Sequence, residues 1–510
     1  MNRTAAALLT AVLLPCALSA QSPGQKAAHA YRVSHAPGIL RAYTELLSMP
    51  NVASDSADIW KNATYIRDRF RERGVAAELL TQPGAPPLVY GELKAPGVTR
   101  TIGIYAHYDG QPVDSTRWAH APWTPTLYTR AMEAGGQARP LPASGDAVDP
   151  EWRIYARSSG DDKAPIGAML AVLDAYRAAG IRPTSNIRFL LDGEEEAGSP
   201  HLAEYLKQYR DRFDGIDIWL FCDGPVHQSG RPLVTFGVRG VTGMEVTVYG
   251  AVRPLHSGHY GNWAPVPGQM LARLLTSMKD ENGKVLVGGF YDTDAPLSDA
   301  EREVLRNVPA YDGQLRKELG LVRTEGEPQT LAERLMLPSL TIRGLSSGNT
   351  GARARNIIPA GATATLGIRL VKGNDPAHMQ DLVEAHIRKQ GYHIVRQDPD
   401  MATRLKYPKI AKVVRFGGYP AARTRMDLPI VQTVVAAVRA AAGNDLVLVP
   451  GMGGSLPLYL FTGDGGKPAL IVPIANYDDN QHAANENLRI GNLWYGIDLY
   501  GALFDLGNGR

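Results

Sequence analysis

Only two cysteines, Cys16 and Cys222, occur in 510 residues. Cys16 falls in an apolar N-terminal run, so the rest of the chain has a single thiol, which excludes an intramolecular disulfide there and a cysteine-based metal site. Any metal has to be held by His, Asp and Glu. Charge of one sign is lacking as well. The 54 basic and 51 acidic residues leave a net +3, with no basic block and no basic-aromatic interleaving, which excludes nucleic acid as the expected partner. Beyond the N-terminus no apolar run reaches membrane-spanning length, and there is no internal repeat or low-complexity tract. The run from Ala5 to Leu18, behind Met1-Asn2-Arg3 and ahead of Ser19 and Ala20, is itself too short to span. It predicts a signal peptide over residues 1–20 and hence a secreted or periplasmic protein. Pro15 argues against a lipid on Cys16.

What is present is a 44% hydrophobic chain long enough for two or more domains around large cores. Residues 31–74 read as scaffold helices, with apolar positions Leu40, Tyr43, Leu46 and Leu47, then Ile59, Ala63, Ile66 and Phe70. The Pro-, Gly- and Ala-rich stretch 118–152 reads as a surface excursion. From residue 238 to 412 the pattern becomes strand-helix-strand-strand-helix, an inserted α+β unit that divides an α/β unit into parts 21–237 and 413–510.

The chemistry-bearing residues recur at one kind of place. The apolar run Ile187–Leu191 leads into Asp192-Gly-Glu-Glu-Glu196-Ala-Gly-Ser199, Thr101–Ala106 ends on His107-x-Asp109, and Asp217–Cys222 ends on Asp223. Open α/β sheets keep their sites at the carboxyl ends of strands. Asp161-Asp162-Lys163 precedes a helix closed by Gly180, where an acid serves equally as a cap. Alone, an acidic triplet most often marks an exposed loop. Repulsion among its carboxylates becomes attraction only beside a cation.

Together, His107-x-Asp109, Asp161-Asp162-Lys163, Glu195-Glu196 before Ala-Gly-Ser, Asp223 after a strand, His256-Ser-Gly and His482-x-x-Asn485-Glu486 resemble the carnosinase, aminoacylase and glutamate carboxypeptidase type of co-catalytic di-zinc metallopeptidase (clan MH). The resemblance runs from about residue 35 onward. It implies a mixed-sheet α/β zinc-peptidase domain interrupted by a lid domain that dimerises. It puts His107, Asp161 and Glu196 on one divalent ion and Asp161, Asp223 and His482 on the other, with Asp161 shared. Glu195 is implied as general base, Asp109 as the carboxylate orienting His107, and His256 as a residue reaching the partner's active site across the dimer. Arg369, Asn356 and Ser455 are implied in substrate binding. Zinc is the expected ion, although His and carboxylate donors also accept manganese or cobalt.

Where the family has Arg-Gly before the Asp pair, this chain has Arg157-Ser158. The Gly after Asp-Asp-Lys is Ala164, and the place of a carnosinase His looks like Phe416, which argues against carnosine-like specificity. The expected activity is cleavage of an amide next to a free carboxylate, by a dipeptidase or carboxypeptidase. An N-acyl-amino-acid deacylase would use the same site, and a metal-free binding relative is the alternative from another class.

Overall fold

The computed structural model describes residues 21–463 and 465–507. The expected signal peptide, with Cys16, lies outside the described residues. Eight strands form the larger sheet in the order Ala76–Leu80, Leu88–Leu93, Asn186–Asp192, Thr101–His107, Ile218–Phe221, Ala469–Ile471, Leu233–Thr235, Val447–Val449. The Thr101–His107 strand runs parallel to both its neighbours, Asn186–Asp192 and Ile218–Phe221.

Period-two alternation explains how these strands are covered on both faces. Ile102, Ile104, Ile187, Phe189, Leu191, Ile218 and Leu220 join the core under the helices Pro23–Leu47, Lys163–Ala179, Pro429–Ala442 and Ile490–Leu503. Tyr105, Leu190, Trp219 and Phe221 join a second core with Tyr205 and Phe461 on the other face. The same parity places His107 and Asp223 side by side, because Tyr105 pairs with Phe221 in register and both side chains recur two residues later.

A smaller five-stranded sheet follows the order Ser339–Ser346, Gly361–Leu370, Gly240–Tyr249, Ile410–Arg415, His393–Val395. One face packs on the helices Pro267–Thr276 and Pro376–Lys389. Along Gly361–Leu370 every second residue is buried, so Arg369 belongs to the open face at the strand's end. The chain enters this sheet through Gly237–Val238, which pairs with the returning Ala422–Arg423. Gly240 is required there: a Cβ would lie 2.4 Å from the Tyr419 carbonyl oxygen. His256 and Asn356 meet at a two-residue ribbon, with Leu255–His256 paired to Ile357–Ile358.

Two stretches differ from the sequence reading. The first scaffold helix begins at Pro23, capped by Ser22, ahead of residue 31. The stretch 118–152 is more than an excursion: Thr126–Tyr128, Ala138–Arg139 and Arg153–Tyr155 form a sheet closed by Asn487–Arg489. That pairing sets Asn487 opposite Tyr155 and carries Glu486 to the turn ahead of Asp161.

Candidate active site

His107 has no solvent exposure. Its Nδ1 lies 3.2 Å from Asp109 Oδ1, and its Nε2 lies 2.9 Å from Asp161 Oδ1 and 3.9 Å from Asp223 Oδ2. The second oxygen of Asp161 turns the other way, 3.0 Å from His482 Nε2, and His482 Nε2 is 3.2 Å from Glu196 Oε2. One carboxylate thus faces two imidazoles; a further acid, Asp109, stands behind His107 on Nδ1, and at His482 Glu196 shares Nε2 with Asp161. His107, Asp161 and Glu196 offer donor atoms within 4.8 Å of one another, and so do His107, Glu195 and Asp223. The short contacts divide the donors differently from the expected pairing: Asp223 stands on the His107 side and Glu196 on the His482 side. The reason is strand register, which makes Asp223 a neighbour of His107.

Several hydrogen bonds hold the cluster in place. Asp109 accepts from the backbone N–H of Glu195 on Oδ1 and from that of Glu196 on Oδ2, both at 3.1 Å, while it also faces His107. One buried carboxylate therefore orients an imidazole and both members of the Glu pair. Glu194, the first of the triplet, turns away and accepts from His201. Asp162 is no cap: its Oδ2 accepts from the His107 backbone N–H at 3.1 Å.

Three partners carried no role in the sequence reading. Gln111 donates to Glu196 Oε2 and Gln481 to Asp161 Oδ2, each at 2.7 Å. Glu486, fully buried, accepts from the Arg157 guanidinium and the backbone N–H groups of Ser158, Gly160 and Asp161 at 2.8–3.0 Å. It fixes the backbone on which Asp161 is presented. Its adjacency to the His482 motif was the available signal.

Burial and charge act on these groups together. Burial alone would lower the His107 pKa; hydrogen bonds to Asp109 and Asp161 overcome it and hold the imidazole well above its ordinary value. Hydrogen bonds to Asp161 and then Glu196 push His482 up to about 10. Burial and then Asp161 push Asp223 up to about 7, and burial raises Glu195 well above the carboxylate range, with Asp223, Asp161 and Glu196 adding to it. Burial would raise Asp161 too, but hydrogen bonds to His107 and His482 hold it below its ordinary value. Five carboxylates, Asp109, Asp161, Glu195, Glu196 and Asp223, gathered around two imidazoles form a set short of positive charge, and cations fit it.

The substrate-binding candidates fall into two groups. Arg369 Nη1 donates to Ser455 Oγ at 2.5 Å, and that hydroxyl donates to the Arg239 carbonyl oxygen at 2.7 Å. His256 and Asn356 are exposed and adjacent: the Ser257 N–H donates to the Asn356 carbonyl oxygen at 3.0 Å. His256 Nδ1 accepts from the Gly258 N–H of its own turn, and its ring lies 4.5 Å from that of His259. Among the described residues neither one hydrogen-bonds to the cluster.

The sequence pattern of peptidase family M20/M25/M40 matches residues 103–505, the span that carries every one of these side chains. The chain belongs to that family. It is a metallopeptidase of dipeptidase-like type. Similar proteins include a Cys-Gly metallodipeptidase of Candida albicans, 26% identical over 490 residues that cover 91% of this chain and 93% of the relative. A Beta-Ala-His dipeptidase of Homo sapiens is 25% identical over 480 residues, 89% of this chain and 88% of the relative. Among solved structures, an M20 family metallo-carboxypeptidase from Sulfolobus solfataricus is 26% identical with a TM-score of 0.74, covering 92% of this chain and 98% of the other.

Proposed function

We propose that this peptidase is a secreted or periplasmic di-zinc dipeptidase that cleaves the amide next to a free carboxylate. The observation that carries the reading is Asp161, whose two oxygens each face a different imidazole, His107 and His482. The distances favour His107 and Asp223 on one ion, His482 and Glu196 on the other, and Asp161 shared. Bound there, two divalent ions would supply Lewis acidity to the scissile carbonyl and to the attacking water.

Glu195 takes the proton of that water and passes it to the leaving amine: its carboxylate lies within 4.8 Å of donor atoms of His107 and Asp223 and has no ligand duty in this assignment. Asp109 keeps His107 Nε2 pointed inward by engaging Nδ1. Arg369, braced by Ser455, binds the substrate's terminal carboxylate through its planar fork. Similarity to proteins named for Cys-Gly and Beta-Ala-His cleavage supports a dipeptide substrate.

His256 and Asn356 serve the site of a second copy, in a homodimer built on the smaller sheet. Supporting this, the edge strand Ser339–Ser346 exposes Ile342 and Leu345, and Trp263 near His256 is 79% exposed. A panel of dipeptides, amidated dipeptides and N-acyl amino acids offered to the zinc-loaded protein tests the reading. Turnover of free-acid dipeptides, with amidated ones weaker, is expected; turnover of N-acyl amino acids alone would make it a deacylase.

A further inference from the structure

A cavity of about 210 Å³ opens beside Asp223, and the reading above gives it no work. Leu233 and Val449 of the larger sheet and Met452 just past it form one wall, and Val308, Leu331 and Leu335 of the helical segment 299–335 another. Its charged and aromatic polar groups are mostly engaged elsewhere. Tyr311 donates to Glu318 Oε1 at 2.9 Å, Asp312 accepts from the Leu331 N–H at 2.7 Å, and His227 Nδ1 contacts the Ser229 hydroxyl at 2.8 Å. Gln228 and the Thr235 hydroxyl are the polar exceptions. The cavity's two acids, Asp223 and Asp312, are engaged by the ions of the reading above and by the Leu331 N–H, so an apolar guest, which trades water for carbon on most sides, fits the lining better than a charged one.

The position is as informative as the lining. Asp223 of the cluster and Gly453, two residues before Ser455, both line the cavity, so it borders the chain segments that carry the ion cluster and the pair that takes the carboxylate. The wall from the helical segment is tied to the site: Tyr477, five residues before His482, donates to Glu318 Oε2 at 3.0 Å, and its ring meets that of Tyr311 edge-on.

We propose that this cavity receives one apolar side chain of the dipeptide and makes the enzyme selective for a residue of leucine to phenylalanine size at that position. The inference rests on the dipeptidase reading above. A filled apolar pocket is worth roughly ten- to hundredfold in kcat/KM. On the zinc-loaded protein, Leu or Phe scanned through each position of a dipeptide should exceed Gly by that factor at one position.

A binding measurement separates the two claims. Calorimetry with reduced-bond isosteres of Leu-Leu and Gly-Gly should show the apolar one binding at least tenfold tighter. Leu331→Trp, and independently Val308→Trp, should bring that ratio towards one by filling the space. Equal affinity of the two isosteres, or a ratio unchanged in both correctly folded variants, overturns the assignment of the cavity. Tight binding of the apolar isostere with no dipeptide hydrolysed would instead overturn the dipeptidase reading and leave the cavity's role standing.

Discussion

His107 and His256 both occupy strand ends, yet one is fully buried, with both ring nitrogens engaged by acids, whereas the other is exposed and engages only the amide of its own turn. The contrast extends to their surroundings. The cluster draws all its partners from one fold unit, where Asp109 and Glu486 accept backbone N–H groups and Gln111 and Gln481 donate to Glu196 and Asp161 before any ligand arrives. Such preorganisation is what electrostatic catalysis needs. His256 and Asn356 are exposed and lie apart from the cluster, so the proposed function needs lid closure or a second subunit to bring them to a substrate.

The comparison can be broken at its strong end first. Asp161→Ala removes the carboxylate shared by both imidazoles, so zinc content should fall at both positions and activity should disappear; one ion still tightly held would place the bridge elsewhere. Glu195→Ala removes no ligand in this assignment. It should keep both ions and lower kcat by roughly 10² to 10⁴, and metal lost in step with activity would count against its role as base.

At the weak end, His256→Ala should leave metal content unchanged and lower kcat by roughly 10² to 10³, the cost typical of one lost oxyanion donor. Mixing inactive Glu195→Ala with inactive His256→Ala subunits sharpens the point. If His256 acts across a dimer, mixed dimers hold one intact site and activity partly returns. No recovery despite demonstrated subunit exchange would confine His256 to its own chain.

The smallest effect concerns a departure from the family pattern. Ser158 stands where the family has Gly, and its φ of 62° is the left-handed conformation that Gly favours. The Ser158 hydroxyl accepts from Asn51 Nδ2 at 2.8 Å, which partly offsets the strain. Ser158→Ala keeps the strain and loses the bond, so it should destabilise by about 1 kcal/mol. Ser158→Gly should fall near wild type in thermal unfolding, and equal losses in both would remove this account.

The strand-end residues were legible in the sequence because each lies just past an apolar run, and period-two alternation then fixes the face. The strand-helix order of residues 238–412 was legible for equally local reasons, and within it the Asp375 side chain caps Pro376–Lys389. Glu486 was not legible as a positioning group. Its task arises from Asn487–Arg489 pairing with Arg153–Tyr155, strands of three residues each, too short for a period and more than 300 positions apart. The same shortness hid the sheet within 118–152, where proline and glycine dominate the composition. Which acid joins which imidazole follows from strand register, a long-range property, and so the expected division of ligands differs from the observed distances.

Titration of the metal-free protein with Zn²⁺, reading bound metal and dipeptide hydrolysis together, tests the two-ion site most directly. Activity should climb to a plateau at two ions per chain. A plateau at one ion, or hydrolysis without metal, would contradict the shared role of Asp161.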